Sequence, residues 1–329
     1  MKYSGRFNCF DFSKITCFPI EGRNNRTTTE NLLLPDDVLE STTEFNSPEL
    51  DRLCEKIQAA KEKGLPVILF TGAHLIKNGM GLLLGDLIRK GVFTLVATNC
   101  AGVIHDFELA LIGGTSEVVP DALGQGTFGM WEETLGLMNR ALTHGNRLEL
   151  GIGESLGRLI SGEDFPQKQD FPFCESSVIH TAWETGIPLT VHVSIGTDII
   201  DQYPHFDAAA KGGCSGRDFG IFAAQVARMK NGGVFINAGS AVTGPEVFLK
   251  ACSMAANIGS APHGITTAAF DLRPVKIEDI SDEKTYTYYF RDIKSVVTRI
   301  PESFNGKGYY IQGDQTETFP ALYRKIVDR

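Results

Sequence analysis

Residues 66–116 read PVILFTGAHLIKNGMGLLLGDLIRKGVFTLVATNCAGVIHDFELALIGGTS, and this stretch decides the fold. Its first apolar run, Val67 to Phe70, lies between Gly64 and Gly72, the pattern of a strand buried on both faces. The spacing predicts a helix over 79–90 closed by Gly91, a second buried strand over 93–97, and a second helix over 103–112. Two parallel strands joined by a helix form a right-handed crossover. The segment therefore starts a parallel sheet.

The same pattern returns downstream. Strands are expected over 189–195, 233–237 and 265–270. Helices are expected over 215–230, with Ser215 or Asp218 near the start, and over 244–257. GKGYYIQGD, residues 306–314, reads as a short strand, and residues 319–327 as a closing helix. Residues 129–186 read as mostly helical, and Gly151-Ile-Gly-Glu-Ser-Leu-Gly157 within them as a helix–helix turn, since its spacing and context miss the dinucleotide fingerprint. Strand–helix alternation of this length argues for an α/β protein with a doubly wound, mostly parallel sheet, a single domain over 49–329. Ser47-Pro48 opens its first helix. Residues 1–48 lack sustained periodicity. They are expected to be an N-terminal extension packing on the main domain or a neighbouring subunit, with a disordered tail as the alternative, against which the aromatics Phe7, Phe10, Phe12 and Phe18 weigh.

The totals narrow the function classes. A net charge of −9 without a compensating basic run argues against a nucleic-acid partner. The seven cysteines are dispersed with no C-x-x-C pair, so no metal centre is read from them and reduced thiols are expected. The N-terminus lacks an apolar signal-peptide core, and no apolar run approaches a membrane span. A cytoplasmic protein with no membrane partner is the expectation.

In open parallel sheets, ligands bind beyond the carboxyl ends of the strands. The turns there hold Thr71-Gly72-Ala73-His74, Thr98-Asn99-Cys100-Ala101-Gly102, Gly196-Thr197-Asp198 and Ala238-Gly239-Ser240-Ala241-Val242. Small residues let a cofactor approach the backbone, so a nucleotide-sized crevice is expected. His105 is the candidate proton-transfer group, because imidazole titrates near working pH. Its neighbour Asp106 either assists or caps its own helix. Asp198 is read as a ribose-hydroxyl ligand; with Asp201 and His205 it also forms a polar cluster conceivable as a metal site. His192, alternating with Val191 and Val193, is read as a hydrogen-bonded core residue.

The stretch Thr98-Asn-Cys-Ala-Gly-Val-Ile-His-Asp106 resembles the T-T-A-G-G-V-E-E-D segment of deoxyhypusine synthase. The order is kept at Thr71-Gly-Ala73 (T-S-N in the family), Thr197-Asp198 (T-D-G) and Ala238-Gly-Ser-Ala-Val242 (G-G-G-V). His105-Asp-Phe-Glu108, with Gly114-Thr-Ser116, looks like the H-D-I-E and G-T-S pattern of archaeal-type ornithine cyclodeaminases. The resemblance implies a Rossmann-like fold binding NAD through Thr71, Gly72, Ala73, His74, Thr98, Asn99, Ala101, Gly102, Asp198, Gly239 and Ser240. It implies His105 and Asp106 as catalytic residues, no metal, and a homotetramer. The implied chemistry is transferase-like, passing through an imine on a polyamine, another small amine or an amino acid. Ile104 and His105 stand where the synthase has paired glutamates, Pro245-Glu246 where it has K-H-H, and no W-G-K lysine follows Asp271. Aminobutyl transfer itself is therefore not implied, and the alternative is an NAD-binding sensor or partner protein without catalysis.

Overall fold

The structure, a computed structural model, describes residues 3–42 and 45–328. Eight strands occur in chain order: β1 (Asn25–Thr28), β2 (Val67–Thr71), β3 (Leu95–Asn99), β4 (Gly114–Glu117), β5 (Leu189–His192), β6 (Val234–Ala238), β7 (Thr266–Asp271) and β8 (Lys307–Gln312). Six of them make one all-parallel sheet in the order β5-β3-β2-β6-β7-β8. The chain runs outward from β2 through β3 to β5, then returns to the other side of β2 for β6, β7 and β8. This is the doubly wound Rossmann order, and its direction reverses between β2 and β6.

Burial explains why these segments are strands. All five residues of β2 and all five of β6 are buried, as parallel strands covered on both faces must be. One face packs under Leu50, Leu53 and Ile57 of the Pro48–Glu62 helix and Leu83 and Leu87 of the Gly81–Arg89 helix. Phe222, Phe235 and Phe248 fill the other, with the last two rings stacked. Of the stretch Gly151–Gly157, read as a helix–helix turn, only Gly151 lies in the connection, as a helix N-cap; Ile152–Gly157 are already helical. Gly153 is required there for a packing reason: a Cβ on it would lie 1.7 Å from the Leu189 carbonyl oxygen.

Several boundaries differ from the sequence reading, and two of the helix starts differ because of a side-chain cap. The helix expected over 103–112 is Cys100–Ile112, since the Asn99 side chain accepts from Gly102 N at 2.9 Å. His105 and Asp106 thus stand in its second turn rather than at the strand-to-helix turn. The helix expected over 215–230 is Ala208–Ala227, capped by Asp207 accepting from Ala210 N. β5 stops at His192, three residues short of the expected strand end.

These shifts reassign two aspartates. Asp106 does not cap its own helix. It accepts from Ser177 Oγ (2.5 Å), Val178 N (2.8 Å) and Ile179 N (3.0 Å), capping the Val178–Thr185 helix. Asp218 is mid-helix, and its Oδ2 accepts from Ile152 N, Gly153 N and Val191 N. Burial pushes both carboxyls up, Asp218 to about 7, against the pull of those amides. Asp106→Ala is expected to destabilise the protein by about 2 kcal/mol, measured by denaturant unfolding, because it strands buried donors at a helix start.

The N-terminal segment carries more regular structure than its sequence suggests. β1 pairs antiparallel with β4, placing Thr27 opposite Thr115, and Phe18 bridges to Trp131. It docks through Ile20, Arg23 and β1, whereas Phe7 and Phe10 are exposed. Among the described residues no disulfide joins any of the seven cysteines, and no helix is long and apolar enough to cross a membrane.

His192 is a core residue, packed among Phe70, Phe219 and Phe222 and hydrogen-bonded to Thr190 Oγ1. Burial lowers its pKa to about 4. The folded state thus resists protonation, and stability falls as pH drops from 6.5 through 4. His192→Phe is expected to remove up to about 3 kcal/mol of that acid sensitivity, read from urea midpoints across this window.

Candidate functional site

The reversal between β2 and β6 brings two turns together at the carboxyl edge. Gly72 N donates to Ala238 O at 2.9 Å, and a Cβ on Gly72 would meet Gly239 O at 2.3 Å. Gly239 itself has φ +70°, the left-handed region that glycine reaches without strain. Glycine is needed at both positions for the turns to touch at all. Ala73 and His74 continue the first turn, and His74 is exposed. Ser240 is buried, its Oγ accepting from Gly244 N at 2.9 Å as the Thr243–Asn257 helix begins. Thr71 donates to Gly72 O, so its hydroxyl also serves the turn.

One strand along, Thr98 Oγ1 packs against Gly102, where a Cβ would lie 2.3 Å away. Asn99 caps the following helix, and Ala101 is half-buried. Among the described residues, Thr98 Oγ1, Asn237 Oδ1 and Gln315 Oε1 have no hydrogen-bond partner although buried near the ends of β3, β6 and β8. Unpaired buried oxygens are uncommon in folded proteins. Around them the lip is open: Ser194 to Thr197, Gly239, Ala241 and Val242 are exposed, and Ile195 and Val242 show apolar side chains. Exposed small-residue backbone, apolar side chains for a ring face and unsatisfied oxygens together fit a dinucleotide.

The end of β5 departs from expectation. Asp198 and Asp201 do not gather as a metal cluster with His205. They clamp Lys211, whose Nζ donates to Asp198 Oδ2 at 2.7 Å and Asp201 Oδ1 at 2.6 Å. The Lys211 side chain is 1% exposed. Burial disfavours its charge, yet the Asp198 and Asp201 carboxylates beside it outweigh that, and its pKa is raised. Cys100 is buried too, and burial chiefly, with Asp198 adding, pushes its thiol well up, so it is no nucleophile. Asp198 stands at the outermost strand, two strands from the reversal. Sequence reasoning missed Lys211. Its only signal was a lone lysine in the small-residue run Ala208-Ala-Ala-Lys-Gly-Gly-Cys214, four residues after Asp207.

Behind the first turn lies a polar network. His105 Nδ1 is 2.8 Å from Thr115 Oγ1, which donates to Glu108 Oε2 at 2.6 Å. Thr134 donates to the other Glu108 oxygen, and Arg23 grips both, at 2.7 and 2.8 Å. The Arg23 and Glu108 side chains are 2% and 3% exposed, a bidentate ion pair inside the protein. Burial lowers the His105 pKa; Glu108 opposes this, and Lys77, Arg23 and His74 reinforce it. The five residues of this network come from the segment just before β1, from β4 and from two helices; His105 is the one read from the sequence as functional, while Glu108 and Thr115 enter only within the H-D-I-E- and G-T-S-like patterns. Asp106 faces elsewhere, committed to its cap.

Two further features lie off this edge. A cavity of about 380 Å³ beside Trp183 and Leu189 sits at the opposite, amino end of β5. Among the described residues, the metal-type grouping is Cys174, Glu175 and His180, on another surface, with Glu175 also paired to Arg89.

Strand order defines a Rossmann-type α/β fold, with the turns after β2 and β6 meeting at its switch point. The comparison of structures agrees. Unliganded AgrE superposes with a TM-score of 0.51 at 14% identity, over 87% of this chain and 34% of AgrE. AgrE has also been solved in a ternary complex with ornithine and NAD+, which matches with a TM-score of 0.47 at 17% identity, over 87% of this chain and 34% of that one. A protein from Entamoeba histolytica assigned as a deoxyhypusine synthase matches at 10% identity and a TM-score of 0.42, over 89% and 91% of the two chains. This chain spans about one third of the length of AgrE. No protein-family model and no curated protein sequence matches. The likeness is one of fold, and the Rossmann-like sheet expected from the sequence is found.

Proposed function

We propose that this chain binds NAD across the β2–β6 switch point and oxidises a small amine or amino acid to an imine, with His105 moving the proton. The strand order carries the reading: it sets Gly72-Ala73-His74 and Gly239-Ser240 on the two sides of the reversal, where such sheets take dinucleotides. AgrE, of the same fold, has been solved with ornithine and NAD+. NAD, when bound, supplies the hydride acceptor. The chain's own residues do the rest. The turn at 72–74 and the lip at 239–242 would hold the dinucleotide, with Thr98, Asn99, Ala101 and Gly102 beside them. Asp198, anchored by Lys211, would meet ribose hydroxyls. Asp106 acts by holding the Val178–Thr185 helix against the helix that bears His105.

A buried lysine does stand near the crevice, but Lys211 is held protonated between two carboxylates. It cannot form an imine in that state. This favours oxidation without aminoalkyl transfer, and it is the observation behind a second reading, a non-catalytic NAD sensor. Thermal unfolding with added NAD tests the shared part. Saturating NAD at about 100 times its Kd is expected to add about 2.7 kcal/mol of stability. An unchanged melting temperature, with no NAD released from denatured protein, would remove both readings.

A further inference from the structure

We infer that Thr115 and Glu108 are positioning residues that hold His105 as the Nδ1-protonated tautomer, leaving Nε2 as the ring atom that accepts a proton. The inference rests on the reading of His105 as the proton-transfer group, but its geometry stands alone. Glu108 is gripped through both oxygens by Arg23, so its carboxylate is an acceptor only. A threonine hydroxyl has one proton, and the 2.6 Å contact commits that of Thr115 to Glu108. Towards His105, at 2.8 Å, Thr115 Oγ1 can then only accept. A neutral imidazole has one N–H, and this contact places it on Nδ1. The lone pair is left on Nε2.

The network also sets how His105 responds when it takes a proton. The resulting cation lies one hydroxyl away from Glu108, which favours it. Arg23, Lys77 and His74 oppose it, and Arg23 is the buried one. His105 is thus kept neutral while its acceptor atom is fixed in advance. The device depends on the N-terminal segment, because Arg23 comes from it and Thr115 lies on β4, opposite Thr27 of β1.

Nitrogen-15 spectra of histidine-labelled full-length protein, recorded without NAD, read the tautomer directly, with His105→Gln used to assign the signal. Near neutral pH the wild type is expected to show protonated Nδ1 and unprotonated Nε2 for His105. Thr115→Val keeps the side-chain volume but removes the acceptor, and is expected to shift His105 towards the Nε2-protonated form. Thr115→Ser is expected to restore the wild-type pattern. A wild-type spectrum with the proton on Nε2 would overturn the inference even if Thr115→Val failed to fold, and so would a folded Thr115→Val variant with an unchanged tautomer. NAD binding by the same samples reports separately on the proposed function, so the two can fail independently.

Discussion

Lys211→Met is expected to destabilise the protein by about 3–5 kcal/mol, measured by urea unfolding at neutral pH. The substitution keeps length and apolar bulk but deletes the cation between Asp198 and Asp201, whose side chains are 9% and 5% exposed. Two nearly buried carboxylates would then face each other uncompensated, and breaking such a pair costs far more than the pair is worth intact. The penalty has a local consequence. Gly196 N donates to Asp201 Oδ2 at 2.6 Å, and Thr197 Oγ1 donates to Asp198 Oδ2, so the turn after β5 is organised by the same carboxylates. Asp201→Asn in the Lys211→Met background is expected to recover part of the loss, because it removes one of the two stranded charges while leaving an oxygen for Gly196 N. If Lys211→Met unfolded at the wild-type midpoint, the clamp would be a surface pair in energetic terms.

His105→Ala is expected to lower turnover of an identified amine or amino acid by about 10²–10⁴-fold, the range for loss of a general acid–base group. NAD affinity should be retained, because the side chain stands behind the first turn on the second helical turn rather than at the lip. Burial lowers the pKa of His105, so the base form persists below the ordinary histidine value of about 6.5. The acid limb of the rate profile is therefore expected to fall below that value. Unchanged kcat in the alanine variant would remove His105 from the chemistry and favour the sensor reading. The fold should survive this substitution: His105 is half-buried, and Glu108 keeps Arg23, Thr134 and Thr115 as donors.

Much of the architecture could be read from local pattern. Continuous apolar runs such as Val67-Ile-Leu-Phe70 mean strands buried on both faces, and the alternation of strand and helix demands a parallel sheet. Strand direction also put the segments at 71–74, 98–102 and 238–242 at the carboxyl edge, although His74 and Cys100–Gly102 are helical there rather than turn. Helix starts were less legible. Asn99 and Asp207 cap with side chains that any loop can also carry, so periodicity placed both starts several residues late. β1 and β4 leave no apolar pattern because their residues, Asn-Arg-Thr-Thr and Gly-Thr-Ser-Glu, are polar or glycine even where they are buried.

Consecutive residues were enough to place the parallel sheet and the carboxyl edge of its strands, because burial periodicity and strand direction are local properties of the chain. Only the tertiary structure decided which polar groups are partners. It turned Asp106 into the cap of a distant helix, gave Asp198 and Asp201 a lysine, and placed Arg23 against Glu108 across 85 positions of chain. A charge taken out of water must find its counterpart wherever the fold brings one, and that distance in space has no signature in the spacing of residues along the chain.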